Sequence, residues 1–522
     1  MATYMSRLSF MIKRLTGFLQ TFRRSKRGTF GVGILVFFII IALAAPLLTP
    51  YGPRQPKLAG SRAAPVWLRY LPGGERFSEN FAPIIDPRFD SQTSLNEWKF
   101  EVTPSDCNVL VQHISSVGTP GGTPGCIALT YERKTESSDP IQFKATLSKE
   151  FYYPYGGPPE HFSGRISLLL ERLKDVSVEV KVFIRQGWME SETHDLFEYK
   201  KFEWGLGEWN EPKKSSLVET YNETTLMSNK RFLRWISAKE SIGSKPVGIA
   251  DQVFAKPSSY TYGVEILFED KMSKDSAEAM IYIDNLNIEL YGTAFGLFGT
   301  DNVGSDIFTQ LVYGSRVSLL IGILASILSV FIGLVVGLVA AYAGGIVDEV
   351  LMRVTDAMLV LPTLPLLMVL TVSLGKGMQM MEIFIILIGF LGWMGFARTV
   401  RSQVLSLKER PYVEAAKAIG AGGFHILSRH IVPNVVSLIY VTLAMSVPTA
   451  ITIEASLSWL GFYDPFRVSW GGMLYDVRTQ NAYRDWWWVV PPGLCIALVS
   501  IAFILLGYAL DEVLNPKLRI RR

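Results

Sequence analysis

The placement of the long apolar runs most narrows what this chain can fold into. Residues 30–48 form one run and residues 316–510 are dominated by others, whereas residues 50–295 are mixed, aromatic and charge-bearing. A run of about 19 apolar residues makes roughly 29 Å of helix, enough to cross a bilayer core. The chain is 49% hydrophobic and 19% charged, averages that hide two materials, and it reads as an integral membrane protein with one large soluble insertion.

Six spans are expected, at about 30–48, 316–341, 351–374, 383–404, 432–453 and 489–510. Pro362 and Pro365 fall inside the third, where neighbouring helices can satisfy the freed carbonyls. Arg7, Lys13, Arg14, Arg23, Arg24, Lys26 and Arg27 precede the first span with no acidic residue among them. Arg398, Arg401, Lys408, Arg410, Lys417 and Arg429 precede the fifth, and Lys517, Arg519, Arg521 and Arg522 follow the sixth. Under the positive-inside rule all three groups, with both termini, lie in the cytoplasm. The first run ends in Pro46 and Pro50 rather than a small-x-small site, which favours a span over a cleaved signal. Trp459, Trp470, Trp486, Trp487 and Trp488 mark the 455–488 connection as an interfacial belt or half-inserted loop.

Residues 51–295 then lie outside the cell. Val176, Val178, Val180, Val182 and Ile184 alternate with polar residues, as do Tyr260, Tyr262, Val264, Ile266 and Phe268, and Leu286, Ile288 and Leu290. Period two, punctuated by Pro/Gly clusters at 118–125 and 153–159, predicts an all-β sandwich or jelly roll. Six of the 12 tryptophans (Trp67, Trp98, Trp188, Trp204, Trp209 and Trp235) lie here, available either to fill a core or to stack on sugars. Cys107 and Cys126 are open to a disulfide in an oxidising compartment or to remaining separate thiols, and no metal spacing is present. A net charge of +4 with no basic stripe argues against nucleic-acid binding.

Between the fourth and fifth runs lies Pro411–Pro433. Pro411 suits a first helical turn and Glu414 an electropositive helix N-terminus, Ala415 and Ala416 allow close approach of another surface, and Gly420, Gly422 and Gly423 permit a cap and a turn. A short helix presented to a partner is the expected product. The chain has no phosphate-binding loop, since Gly375-Lys376-Gly377 lacks the preceding glycine and the hydroxyl residue.

Glu414-Ala415-Ala416 with Gly420 and Pro433 resembles the signature loop of ABC-importer permeases. Gly299–Gly322, Ala397–Ala421, Arg429–Val435, Glu454–Phe462 and Ser469–Leu474 are similar, in order, to the C-type permease of oligopeptide, dipeptide and nickel importers. The resemblance covers residues 1–50 and 296–522. It implies a type I ABC importer permease fold with the β domain inserted between helices 1 and 2, in a prokaryotic cell membrane. The parts are then residues 1–50, 51–295 and 296–522, with a coupling loop at 411–433. The implied partners are a second, B-type permease, two ATPase subunits that bind the ATP, an extracytoplasmic solute-binding protein and membrane lipid; the chain itself takes no cofactor and is not an enzyme. Peptides are the implied substrate, with oligosaccharides or nickel as alternatives. Glu414, Ala415, Ala416 and Gly420 are the implied ATPase contacts. Arg410, His425 and Arg429 either join them or are solvated charges.

Glu454, in the membrane, is either a path or gating residue or a capping and pairing one. Met358 and Met368 either line a permissive path or pack. Asp301 and Asp306 have calcium-like spacing, but the resemblance makes their segment a structural lead-in. Asn222-Glu223-Thr224 is a glycosylation triplet. A large insertion departs from the family, and docking of the binding protein, saccharide binding and envelope contact are its three readings.

Overall fold

The computed structural model describes residues 25–104, 109–118, 125–133, 141–186, 193–199, 209–210, 226–227, 250, 253–270, 276–374 and 379–514. Cys107, Trp188, Trp204, Trp235, Asn222, residues 375–377 and the basic residues of 1–24 and 515–522 lie outside them. The chain falls into two compact units, residues 1–55 with 306–522, and residues 56–305.

In the first unit the long helices are α1 (Lys26–Leu48), α2 (Ile307–Ala343), α3 (Gly345–Val360), α4 (Thr363–Leu374), α5 (Met380–Leu391), α6 (Met394–Lys408), α7 (Pro411–Ala418), α8 (Val432–Trp459), α9 (Trp470–Thr479) and α10 (Trp486–Leu514). Among the described residues, five helical stretches are long and apolar enough to cross a membrane, or six if the bent α3/α4 pair is one span. That pair corrects the expectation of a continuous third span. α3 and α4 meet at 92°, because Leu361, immediately before Pro362, takes extended backbone (φ −68°, ψ 134°), as steric conflict with the proline ring favours. Pro365 instead sits in the first turn of α4, where its missing N–H costs little.

α1 shows how a span tolerates proline. Pro46 has no N–H for the carbonyl of Ala42; the Arg316 side chain of α2 donates to that carbonyl and, at 3.1 Å, to Leu43. α2 and α6 pack closely through Gly333 and Gly337: a Cβ at Gly333 would lie 2.8 Å from the Trp393 carbonyl, and one at Gly337 would lie 2.6 Å from the Ala397 carbonyl. Small residues spaced by four let helix backbones approach in this way. Trp470 and Trp488 are fully buried, so these two of the five connection tryptophans are core residues, while Trp486 is exposed.

The second unit contains two antiparallel sheets, ordered β1-β4-β10-β6-β7 and β2-β3-β11-β5-β8, with β9 paired to β5. The strands are β1 Lys99–Thr103, β2 Val109–Ile114, β3 Cys126–Arg133, β4 Ile141–Tyr153, β5 His161–Lys174, β6 Val176–Gln186, β7 Thr193–Tyr199, β8 Trp209–Asn210, β9 Leu226–Met227, β10 Ser258–Asp270 and β11 Ala277–Tyr291. Alternate residues of β6, β10 and β11, including Val180, Tyr262 and Ile288, meet in one core with Ile127 and Leu168 of the second sheet, as period two requires. Trp98 is buried in that core and stacks at a tilt on Phe89 with centroids 5.8 Å apart; Trp67 is exposed. The lead-in before α2 belongs to this unit, since Lys57, Leu58 and Arg62 donate to the carbonyls of Val303, Gly304 and Asp301.

Candidate functional site

The helix expected in the glycine-bearing loop is present as α7. Arg410 caps it, its carbonyl accepting from Val413 and Glu414 N–H groups at 2.9 and 3.1 Å, and Pro411 takes the first helical position. Val413 is fully buried with Ala341, Val404, Leu407, Ile426, Ile431 and Val435. Glu414, Ala415, Lys417 and Gly420 remain exposed. Ala416 packs partly against the same core, so Ala415 rather than both alanines offers the bare surface.

Gly420 ends the helix with φ +87°, in the left-handed region where a Cβ is penalised. A Cβ there would meet nothing within 4 Å among the described residues, so backbone conformation, not crowding by them, calls for the glycine. After the turn, residues 423–426 are helical and Leu427–Ile431 form a π-helical turn leading into α8. His425 and Arg429 are exposed, and the His425 ring lies 6.0 Å from that of His430.

Two residues absent from the sequence reading dominate this surface. Ile419 is 87% exposed and Phe424 is 84% exposed, one on each side of the glycine turn, with Tyr412 also exposed. The available signal was a large apolar residue on each side of the Gly420–Gly423 turn, Ile419 before it and Phe424 after it. Large apolar side chains left uncovered on a turn fit a surface that another molecule covers.

Glu454 occupies a different kind of place. It is 1% exposed, and its Oε1 accepts from Ser458 Oγ at 2.9 Å and Ser469 Oγ at 2.8 Å. Ser469 Oγ also accepts from Gly472 N–H at 3.0 Å, capping α9. The next residue, Trp470, donates its backbone N–H to Ser318 Oγ and its indole N–H to the Leu311 carbonyl, both on α2. Glu454 thereby ties α8 to the start of α9, and α9 to α2. Met358 and Met368 are half-buried and pack on the cluster containing Leu367, Ile383 and Phe384.

The two lead-in aspartates cap and turn the backbone. Asp301 Oδ1 accepts from Val303 and Ser305 N–H groups, both at 2.9 Å. Asp306 Oδ2 accepts from Thr309 N–H at 2.9 Å and Thr309 Oγ1 at 2.6 Å, at the N-terminus of α2. Cys126 is a buried free thiol, and burial, reinforced by Asp284, pushes it up to about 12; its suggested partner Cys107 is not among the described residues.

Helices this long and apolar make a polytopic membrane protein, and its family and relatives make it a permease, a transport subunit without catalytic activity of its own. The chain belongs to the family described as binding-protein-dependent transport system inner membrane component, matched over residues 333–520, and its residues 14–65 match the N-terminal transmembrane domain of oligopeptide transport permease C. It is 39% identical over 224 residues to the dipeptide transport system permease protein DppC of Bacillus subtilis (strain 168), covering 42% of this chain and 69% of that one. It is 40% identical over 223 residues to the oligopeptide transport system permease protein OppC of the same organism, covering 42% and 72%. Among solved structures, an inward-facing MetNI methionine ABC transporter aligns at 18% identity over 40% of this chain and 95% of that one, with TM-score 0.32. A carbohydrate-binding module of the β-sandwich superfamily aligns at 10% identity over 39% and 61%, with TM-score 0.24.

Proposed function

We propose that this chain is the C-type permease of a peptide importer, working with a B-type permease, two ATPase subunits and an extracytoplasmic solute-binding protein. Residues 411–433 receive the ATPase stroke on the cytoplasmic face, both termini share that face, and six spans carry the chain, α3 and α4 together forming the third. The observation that carries this reading is the exposed α7–Gly420 turn with Ile419 and Phe424 presented beside Glu414 and Ala415. ATP binding in the partner subunits moves that turn, and the spans exchange between two packed arrangements. Peptide as substrate is supported by the names of the dipeptide and oligopeptide permeases that the chain resembles.

The β unit follows α1 and precedes α2, so it lies on the opposite, extracytoplasmic face, where it serves as a platform for the binding protein. The test of the coupling surface is disulfide or bifunctional cross-linking from Ile419→Cys and Phe424→Cys in the assembled complex. Adducts with the ATPase subunits that change on nucleotide binding are expected. Adducts only with lipid, or none, would overturn the assignment. Uptake assays comparing a peptide digest, oligosaccharides and nickel would assign the cargo; saturable uptake of sugar or metal alone would overturn the peptide reading.

A further inference from the structure

Both ends of the presented segment close on one residue, Tyr342, at the end of α2. Before the segment, Lys408 is the last residue of α6. Its Nζ donates to the carbonyls of Ala341 at 3.2 Å and Tyr342 at 3.0 Å, and lies 5.6 Å from the centre of the Tyr342 ring. These carbonyls belong to the final turn of α2, whose last helical bond runs from Gly344 N–H to the Ala340 carbonyl at 3.0 Å; Gly344, at φ +67°, then turns the chain, so residues 345 and 346 do not continue the ladder to Ala341 and Tyr342. A cation is the favoured occupant of such a helix end.

After the segment, Gly423 lies against the same ring: a Cβ there would be 2.6 Å from the Tyr342 hydroxyl oxygen and 2.8 Å from its Cε1. Residues 411–422 are therefore a loop whose two feet stand on the end of α2. Between the feet Val413, and just beyond the second foot Ile426, share their core with Ala341, and Ala416 and Ala421 pack on it. Behind the feet, the Gly333 and Gly337 contacts hold α2 directly against α6.

We infer that Lys408 and Tyr342 are positioning residues that transmit displacement of the 411–422 turn into α2, the span that also carries Ser318 and the Trp470 seat. The inference rests on the reading of this turn as the ATPase contact. A displacement of the turn drags the α2 terminus through the Lys408 ammonium and the Tyr342 ring. Without these two, only the apolar packing of Val413, Ala416 and Ala421 on Ala341 joins the turn to α2, with no polar hold on the helix end.

The test uses the complete complex in proteoliposomes, with the solute-binding protein and a casein peptide digest, measuring peptide transported per ATP hydrolysed. Lys408→Met is expected to keep its ATPase subunits on purification and its basal hydrolysis, while transport per ATP falls about fivefold or more, the scale of an ordinary coupling energy. Lys408→Arg restores the cation and is expected to restore most of the ratio, and Tyr342→Leu reproduces the loss if Lys408→Met cannot be recovered folded. An unchanged ratio in Lys408→Met or Tyr342→Leu overturns the inference, as does loss of the ATPase subunits in either, which would make these residues part of docking. Gly420→Asp run alongside separates the two claims: if it uncouples and Lys408→Met does not, only the transmission route fails.

Discussion

Adjacent glycines at the start of α9 give a matched pair for testing how tightly Glu454 is seated. A methyl group on Gly471 would lie 2.7 Å from the Ala455 Cα, 2.9 Å from the Ser458 Cβ and 3.0 Å from Glu454 Oε1. On Gly472 it would meet Ser469 Oγ at 3.4 Å and the Tyr463 ring at 3.5 Å, which is ordinary contact. Replacing either glycine with alanine brings the same small gain in helix propensity, so that gain cancels between the two variants. What remains is overpacking, roughly 1–3 kcal/mol. Gly471 belongs at the upper end, because its nearest neighbour is backbone and α8 has to shift to make room.

Gly471→Ala should therefore unfold about 3 kcal/mol more easily than Gly472→Ala, a separation on the order of 5–10 °C in the midpoint. Thermal unfolding of both variants in nanodiscs, followed by tryptophan fluorescence, measures it. Gly471→Ala also pushes on the carboxyl oxygen that Ser458 and Ser469 share, so transport should fall with stability in this variant alone. Midpoints within a degree of each other would refute the tight α8–α9 seat and with it the structural role given to Glu454.

Gly337→Leu should destabilise the helical unit by about 1–3 kcal/mol through the Ala397 carbonyl and Val400, whereas Gly395→Ala, with open space around it, should be near neutral; the same unfolding assay compares them. In the β unit, burial raises Cys126 to about 12 and holds Tyr153 and Tyr262 above the ordinary phenol range. Because the folded values are raised, this stabilisation is complete at neutral pH and is lost as pH climbs above the unfolded values, starting near 9. Alkaline titration should show these groups ionising only with unfolding, seen as late phenolate absorbance and slow thiol alkylation; early ionisation in the folded protein would contradict their burial.

The β core was legible because a sheet buries one face: Tyr260, Tyr262, Val264, Ile266 and Phe268 alternate in sequence and are all buried in the structure. The bend at Pro362 was not. A proline within an apolar run can be accommodated, as Pro46 is by the Arg316 side chain, or can break the helix, as Pro362 does, and a rescuing donor such as Arg316 lies far away in sequence. Glu414 and Gly420 were readable from residue types with special helix-terminal roles, and both lie where that reading put them, at the start of α7 and just past its end. Ala416 faces inward because Val413 fixes the rotation of α7, a fact set by Ile426 and Ile431 from beyond the turn. Ser458, four residues after Glu454, lay within reach of a helical reading, whereas Ser469 arrives from α9 and could be placed only by the fold. Lys408 looked like one more membrane-flanking charge until the end of α2 was seen beneath it.

The most direct measurement is substrate-stimulated ATP hydrolysis by the reconstituted complex carrying Gly420→Asp. No described residue crowds position 420, so the cost among them is left-handed strain alone, about 1 kcal/mol, and the variant should remain folded and inserted. The added side chain and negative charge fall on the surface beside Ile419 and Glu414. The account predicts a folded permease whose partner ATPases no longer respond to substrate; a Gly420→Asp complex that hydrolyses ATP under substrate control as the wild type does would contradict it.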